Sequence, residues 1–345
     1  MSLEDFLILL SDAGGECLDL LAQKASATTR RSFGNSIILF TPLYIANYCQ
    51  NSCAYCSFAK TQSIVRRQLT FDEIRREAEA IGNTGIRHVL VLSGEAPTIT
   101  TFEYLTRSLE IISGYFSSVG IELYPLQEQE YGFLISTGLI DSLTLYQETY
   151  DEAVYRQLHP AGPKSDYEFR LEAPDRACRQ QIHAVTIGAL LGLSDVRKEA
   201  YALAIHAQYL QNTYPGVELS LSFPRLRPMV SDFKAHTKVT DRQLVQLMCA
   251  FRLLFPSAGI TLSTRESIKF RDGVMRLGIT KVSAGVSTAV GGHGLAPSTA
   301  QFEIADTRSV AAMKNDLRAA GFQPVTQDWN MKLTHGTPLI KSIQQ

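Results

Sequence analysis

Three closely spaced cysteines are the residues whose spacing points most directly to chemistry. Cys49, Cys53 and Cys56 have the spacing C-x3-C-x2-C in the segment "NYCQNSCAYCSF". Structural zinc takes four closed ligands, and no other Cys or His lies near this group. A redox C-x2-C pair would leave Cys49 without a role. Three thiolates instead suit a four-iron cluster, in which one iron stays open to another ligand.

The other cysteines give no comparable pattern. The chain has 6 cysteines, and Cys17, Cys178 and Cys249 are scattered along it. Three buried structural cysteines are the alternative interpretation of the close group. Free cysteines seldom crowd into so short a loop, and the sequence therefore favours the metal site.

Composition limits the class of protein. The 345 residues are 45% hydrophobic and 19% charged, which is enough for one large α/β barrel or two smaller domains. A formal net charge of −1 argues against a nucleic-acid partner. The N-terminus has acidic residues and lacks the pattern of a signal peptide, and no apolar run of about 18 residues predicts a membrane span. We therefore expect a cytoplasmic protein with reduced thiols and no membrane association.

Strand-like and helix-like segments alternate along the chain. Short β-rich runs occur at residues 42–47, 88–94, 121–126, 142–148, 184–192, 218–223, 259–264 and 281–287. Helical periodicity fills most of the intervals, with Thr70, Thr240 and Asp306 as expected helix caps and Gly85 and Gly321 as expected helix ends. This alternation predicts an α/β fold, a (β/α)8 barrel of the TIM type that is complete or nearly so, with its functional site at the carboxyl ends of the strands. An open doubly wound sheet is the alternative.

The predicted barrel leaves a segment at each end of the chain. Residues 1–35 are expected to form an N-terminal helical extension, residues 36–321 the barrel, and residues 322–345 a tail that closes it. No Gly/Ser-rich linker marks a further domain.

The cysteine segment resembles the radical S-adenosylmethionine (SAM) superfamily, which has this spacing and an aromatic residue, here Tyr55, directly before the last cysteine. Seven ordered segments together resemble one family within it, the tyrosine lyases of bacterial thiazole (thiamine) biosynthesis, or 2-iminoacetate synthases. They are "TPLYIANYCQNSCAYCSF", "VLSGEAP", "YQETYDEAVY", "GALLGLSDVRKEAY", "LSFPRLRP", "LSTRES" and "QFEIADTRSVAAM". The resemblance implies a radical SAM barrel, a [4Fe-4S] cluster on the three cysteines, and SAM on the open iron. It also implies hydrogen abstraction from the amino group of L-tyrosine, followed by Cα–Cβ cleavage to p-cresol and 2-iminoacetate.

The resemblance also assigns residues to SAM. The implied cofactor-binding residues are Tyr55, Ser93, Gly94, Glu95, Glu148, Arg170 and Leu191. The "SGE" segment would contact the SAM amino group, Glu148 the ribose hydroxyls, Arg170 the SAM carboxylate, and the "GALLGL" segment the adenine. An ordinary turn at "SGE", a surface role for Glu148, and a salt bridge from Arg170 to Glu172 or Asp175 are the alternatives.

Three residues are expected to hold the substrate. Arg265 would pair with the amino-acid carboxylate, while the hydroxyls of Tyr44 and Ser283 would donate or accept hydrogen bonds. Arg225 and Arg227 are alternatives for the carboxylate, and Arg265 has Glu266 as an alternative structural partner. No firm role is assigned to His159, His206 or His293. The glycine-rich segment at residues 287–294 is expected to form part of a lid.

The resemblance extends to partners and leaves alternatives. It implies tyrosine as the small-molecule substrate, flavodoxin or ferredoxin as electron donor, and thiazole synthase as a further partner. The maturase of iron hydrogenases also cleaves tyrosine but has a second cysteine motif, and no cysteine follows Cys249 here. A tryptophan lyase is the enzymatic alternative. A non-catalytic iron–sulfur carrier and a zinc-binding structural module are the alternatives from other classes.

Overall fold

A parallel barrel forms the centre of the molecule in the computed structural model, which describes residues 1–228 and 233–327. The strands are β1 (Ser36–Ala46), β2 (His88–Ser93), β3 (Ser118–Glu122), β4 (Ser142–Glu148), β5 (Ala184–Ala189), β6 (Glu218–Ser222), β7 (Gly259–Leu262), β8 (Lys281–Ser283) and β9 (Gln323–Val325). Strands β1 to β8 pair in sequence order, and β1 also pairs with β2 on one side and β8 on the other. The sheet is therefore a closed eight-stranded barrel with an additional strand, as predicted, and the open sheet is wrong.

The strands close into a barrel because both of their faces are apolar. Residues of β2 such as Val89 and Val91 are fully buried, and those of the neighbouring β1 and β3 behave alike. Such runs are typical of parallel strands covered by helices. The predicted bounds differ by three or more residues for four strands: β1 begins at Ser36, β3 ends at Glu122, β5 ends at Ala189, and β8 ends at Ser283.

Helices surround the barrel and precede it. They are α1 (Leu3–Leu9), α2 (Asp12–Glu16), α3 (Leu18–Phe33), α4 (Phe71–Gly82), α5 (Phe102–Ser113), α6 (Glu128–Ser136), α7 (Glu152–Leu158), α8 (Tyr167–Leu171), α9 (Ala173–Arg179), α10 (Val196–Thr213), α11 (Asp241–Leu254), α12 (Ile268–Val274) and α13 (Val310–Ala319). Thr70 and Thr240 cap α4 and α11, each in a capping box, which confirms these two expectations. Gly321 directly follows the C-cap of α13 with φ of 82°, whereas Gly85 lies beyond Asn83, the C-cap of α4.

The expected cap Asp306 is wrong, because Ser309 caps α13. The Asp306 carboxylate lies in the core, where it pairs with the fully buried Arg271 and, at 2.7 Å, with Arg308. Arg271 also donates to the carbonyl oxygen of Ser283 at 2.6 Å. This ion-pair group therefore holds the end of β8.

We expect Asp306→Ala to lower the free energy of unfolding by about 3–5 kcal/mol, because Arg271 would remain as an uncompensated buried charge. Urea denaturation measures the change. Asp272→Ala is the matched control: Asp272 is half exposed in its pair with Arg308, and its loss should cost less than about 1 kcal/mol. Equal losses from the two variants would contradict this account of the core.

The two ends of the chain pack on the barrel. Helices α1 and α3 lie against α11, where the Phe6 and Phe251 ring centroids are 4.8 Å apart. Strand β9 pairs with the start of β1, with Ser36 opposite Gln323. The three-part division of the chain stays a prediction, and residues 328–345 of the expected tail lie outside the described residues. Within the described ranges, we find no helix both long and apolar enough to cross a lipid bilayer.

Candidate active site

The three cysteines lie around one cavity of about 100 Å³ at the carboxyl ends of the strands. They belong to the long connection between β1 and α4, and each is a free thiol. Burial raises the pKa of the Cys53 and Cys56 thiols, which disfavours thiolates there unless a metal neutralises them. Among the described residues, no group of His, Cys, Asp or Glu side chains could hold a single metal ion. The three thiols fit a cluster better, since each would bind a different iron.

Asn51 fixes the cysteine loop to two other strand ends. Its side-chain amide donates to Glu95 Oε2 at 2.7 Å and approaches Cys49 Sγ at 3.6 Å. Its carbonyl oxygen accepts from the backbone N–H of Lys164 at 2.8 Å. Asn51 thus joins the loop to the segments after β2 and β4. In the sequence, only the position of Asn51 inside the cysteine motif indicated that it could belong to the site.

Glycine is required at Gly94. A Cβ atom there would lie 2.2 Å from the carbonyl oxygen of Tyr48, a distance that no side chain tolerates. The close approach places Ser93, Gly94 and Glu95 beside the cysteine loop, and all three line its cavity. The predicted "SGE" residues therefore lie where a group bound next to the cysteines would meet them.

Glu148 ends β4 and lies between two cations. Its Oε1 is 2.6 Å from Lys164 Nζ and 3.3 Å from Arg170 Nη2. Burial alone would raise the pKa of Glu148, but these cations outweigh it and lower the pKa. Its φ of 72° is rare for a residue with a side chain, and such backbone strain is often found at functional sites. The carboxylate therefore stays ionised and points into the cavity.

Arg170 also belongs to the group of charged side chains around Glu148. Its Nε donates to the carbonyl oxygen of Tyr146 at 2.9 Å, and its side chain lines the cavity. The alternative partners are wrong, since Glu172 pairs with Arg176 and Asp175 with Arg179.

Tyr55 is held in one orientation by a histidine. Its hydroxyl is 2.7 Å from His159 Nε2, and His159 Nδ1 is 2.8 Å from the carbonyl oxygen of Tyr155. A carbonyl only accepts, so Nδ1 carries the proton and Nε2 accepts from Tyr55. Burial, with a contribution from Lys164, lowers the pKa of His159 to about 3. This histidine is therefore neutral.

Two further histidines lie away from the cavity. His206 contacts the Tyr150 hydroxyl at 2.9 Å. His293 belongs to the expected lid segment, and its backbone N–H donates to the fully buried Glu77 at 2.9 Å. Gly294 donates to the same carboxylate at 2.7 Å. The end of the segment is thus attached to α4, and its role as a lid stays a prediction.

The three expected substrate residues lie on β1, after β7 and on β8. The Tyr44 hydroxyl donates to Gln301 Oε1 at 2.8 Å, and both residues line the cavity. The Arg265 guanidinium lies 3.5 Å from the centre of the Phe302 ring. Ser283 is buried, and its Oγ accepts from the backbone N–H of Thr264 at 3.1 Å. Ser283 does not line the cavity.

Of the two alternative arginines, Arg225 has structural partners, whereas the buried Nε of Arg227 has no hydrogen-bond partner among the described residues. Arg225 pairs with Glu266, to which its Nε donates at 2.9 Å, and with Asp241 at 2.7 Å. Glu266 is therefore not the partner of Arg265, and that alternative is wrong.

Leu191 lies apart from the cysteine cavity. It is buried at the end of β5 and lines a separate cavity of about 500 Å³ with Arg225 and Arg227. Its backbone N–H donates to the carbonyl oxygen of Pro224 at 2.8 Å. A role with adenine stays a prediction.

Glu122 is a cavity residue that the sequence analysis missed. It is the last residue of β3 and lines the cavity with Tyr44 and Gln301. Burial, with Glu148 as the next cause, raises the pKa of Glu122 to about 7. In the sequence, the only indication of a functional role for Glu122 was that it is the single carboxylate in the apolar run "VGIELYPL".

Comparison with known proteins agrees with this geometry. Residues 43–204 match the radical SAM superfamily, and residues 222–323 match the biotin and thiamin synthesis associated domain. The chain is 41% identical to 2-iminoacetate synthase of Salmonella typhimurium over 96% of its own length and 88% of that protein. For 2-iminoacetate synthase of Escherichia coli the identity is 42% with the same coverage. The chain belongs to the 2-iminoacetate synthase family of radical SAM enzymes. Its cofactors are accordingly a [4Fe-4S] cluster and SAM, and it acts on a small molecule.

The solved structure of another protein has the same fold as this chain. HydG, a maturase of the [FeFe]-hydrogenase, has a TM-score of 0.89 and 33% identity, with 94% of this chain and 73% of HydG covered. The similarity therefore covers nearly the whole chain.

We expect Glu148→Ala and Arg170→Ala each to weaken SAM binding while the cluster still assembles. Each change removes a charged hydrogen-bonding group from a mostly buried site, a loss of roughly 2 to 5 kcal/mol if the contact to SAM is desolvated. Binding of SAM to the reconstituted enzyme and the cluster absorbance measure the two effects. Arg107→Ala, at an exposed pair on α5, is the control. Unchanged SAM affinity in both site variants would place SAM elsewhere.

Proposed function

We propose that this chain cleaves the Cα–Cβ bond of L-tyrosine to 2-iminoacetate and p-cresol, for synthesis of the thiazole of thiamine. The observation that carries the proposal is the similarity to 2-iminoacetate synthases along nearly the whole chain. The site supports it, because cysteine, carboxylate, arginine and tyrosine side chains meet at one end of the barrel.

In this proposal, the three cysteines hold the iron–sulfur cluster. Cys49, Cys53 and Cys56 would hold the cluster through three of its irons and leave one iron open for SAM. When bound and reduced, the cluster and SAM supply the 5′-deoxyadenosyl radical.

The residues around the cysteines position SAM. Ser93, Gly94 and Glu95 contact its amino group, and Arg170 pairs with its carboxylate. Glu148 accepts from the ribose hydroxyls, with Lys164 holding the Glu148 carboxylate in place. Tyr55 packs beside the cluster, and Leu191 contributes an apolar surface for adenine.

Tyrosine lies deeper in the barrel. Arg265 holds its carboxylate through two parallel hydrogen bonds, and Phe302 keeps the guanidinium plane in place by stacking. Tyr44 and Ser283 add hydroxyl contacts. Because the substrate is fixed from several strand ends, one N–H bond can face the radical.

The decisive comparison is among substrates. The anaerobically reconstituted enzyme is given SAM, dithionite and tyrosine, tryptophan or phenylalanine, and the products are read by mass spectrometry. We expect p-cresol from tyrosine and much less turnover of tryptophan. Conversion of tryptophan with tyrosine inert would establish the tryptophan lyase instead. Intact SAM after reduction would favour the iron–sulfur carrier.

Several expectations concern the surroundings of the enzyme. Flavodoxin or ferredoxin as the electron donor, thiazole synthase as a partner, and a cytoplasmic location stay predictions. The absence of a nucleic-acid partner and of membrane association also stays a prediction.

A further inference from the structure

We propose that Glu122 binds the α-amino group of the substrate and accepts a proton from it. The proposal rests on the proposed function, since it concerns the amino acid that the same cavity holds. It adds an acid–base step at a residue for which the sequence resemblance gave no role.

The position of Glu122 supports direct contact with the substrate. It ends β3 and lines the cavity that Tyr44, Gln301 and the cysteines also line. Within residues 1–228 and 233–327, its carboxylate forms no hydrogen bond and no ion pair with another side chain. The other two carboxylates at this cavity are engaged, Glu95 with Asn51 and Glu148 with Lys164 and Arg170. Glu122 is thus the carboxylate left for a ligand.

Charged and polar groups from several strand ends interact electrostatically with Glu122. They are Tyr44 on β1, Tyr146 and Glu148 on β4, Lys164 and Arg170 in the connection after β4, and Arg265 after β7. Arg265 lies outside the lining of the cavity but is near enough to lower the pKa of Glu122, and Glu122 in turn raises that of Arg265. A cation and a carboxylate in this arrangement match the carboxylate and ammonium of a zwitterionic amino acid.

The chemistry requires a change in the substrate's protonation. A free amino acid enters with an ammonium group, whereas abstraction of a hydrogen atom from nitrogen is easier from the neutral amine. Transfer of one proton from the ammonium to the Glu122 carboxylate gives a neutral amine and a neutral carboxylic acid, so charge and atoms balance within the site.

The surroundings favour this transfer. Burial raises the pKa of Glu122 to about 7. That value lies nearer to the pKa of the substrate's ammonium group than does the ordinary glutamate value of about 4.3. Moving the proton from substrate to protein therefore costs less free energy than it would with an ordinary glutamate.

A binding experiment tests the contact without any turnover. The reconstituted enzyme with SAM and no reductant is titrated with tyrosine and with 3-(4-hydroxyphenyl)propionate, which lacks the amino group. Glu122→Gln is expected to weaken tyrosine binding about 10- to 100-fold, as loss of a charged hydrogen bond does, and to leave the analogue's affinity unchanged. Equal weakening of both ligands, or of neither, would overturn the proposal.

A pH profile tests the proton transfer. The carboxylate that accepts the proton is present above its pKa, so kcat of the unmodified enzyme should rise as pH increases through about 7. Glu122→Gln should lose this rise and show its activity only at higher pH, where the amine loses its proton to water. Glu122→Asp should restore part of the profile. Glu103→Gln, at an exposed carboxylate on α5, is the matched control and should leave it unchanged. An unaltered inflection in Glu122→Gln would reject the step.

The two proposals fail in distinguishable ways. If tyrosine gives no p-cresol but Glu122→Gln still selectively weakens binding of the amino ligand, the function is wrong and the amino-group contact is supported. If p-cresol forms and the selectivity is absent, the contact is wrong and the function stands.

Discussion

Cys53→Ala is expected to abolish assembly of the [4Fe-4S] cluster and all cleavage of SAM. Cys53 is buried and lines the cavity with the partly exposed Cys49 and Cys56, and no other thiol of the described residues lines that cavity. The loss of one thiolate therefore leaves one iron without its ligand. The same result is expected for Cys49→Ala and Cys56→Ala. Iron and sulfide content, cluster absorbance and 5′-deoxyadenosine formation measure it.

The remaining cysteines provide matched controls for these variants. Cys178 is buried in the main apolar core, Cys249 is buried between α3 and α11, and Cys17 is exposed. Replacing Cys178 or Cys249 by alanine should cost about 1 to 3 kcal/mol of stability and leave the cluster intact. A normal cluster in Cys53→Ala, or its loss in Cys249→Ala with the protein folded, would contradict the assignment.

Arg265→Lys is expected to separate radical formation from product formation. Lysine keeps the positive charge but loses the planar fork that would hold the substrate carboxylate and stack on Phe302. A misplacement of about 1 Å can cost about a hundredfold in rate when reacting groups must be aligned. We therefore expect 5′-deoxyadenosine to form with much less p-cresol.

The ratio of the two products measures this uncoupling. Tyrosine amide, in which the carboxylate is masked, should give the same low ratio with the unmodified enzyme. Arg225→Lys is the control, because Arg225 is held by Glu266 and Asp241 outside the cysteine cavity. A full yield of p-cresol from Arg265→Lys would remove Arg265 from the site.

The barrel could be predicted from the sequence because its signal is local and repeated. Eight apolar runs alternate with amphipathic helices, and few folds use that alternation. The ends of β3 and β8 could not be predicted, because apolar residues continue past Glu122 and Ser283 into the connections. Asp306 resembled a helix cap in sequence, but a buried arginine from α12 takes its carboxylate. Such a contact depends on long-range packing.

The candidate site was predicted in part for similar reasons. Residues within quoted motifs, such as the cysteines and Glu148, meet at the cavity. Lys164 and Glu122 were missed because each stands alone in its segment and reaches the cavity only after the barrel closes, whereas Gln301 begins the segment "QFEIADTRSVAAM" but was given no role there. Leu191 was expected within a strand-like run and beside adenine, but it follows the end of β5 and lines a different cavity.

Turnover in D2O tests the central claim most directly. The amino and phenolic hydrogens of tyrosine exchange with solvent, whereas those on carbon do not. The enzyme with SAM, dithionite and tyrosine should therefore release p-cresol together with 5′-deoxyadenosine that carries a deuterium atom, and O-methyltyrosine, which has no phenolic hydrogen, should label 5′-deoxyadenosine in the same way if the hydrogen comes from nitrogen. Unlabelled 5′-deoxyadenosine, or its formation without p-cresol, would contradict radical cleavage of tyrosine that begins at the amino group.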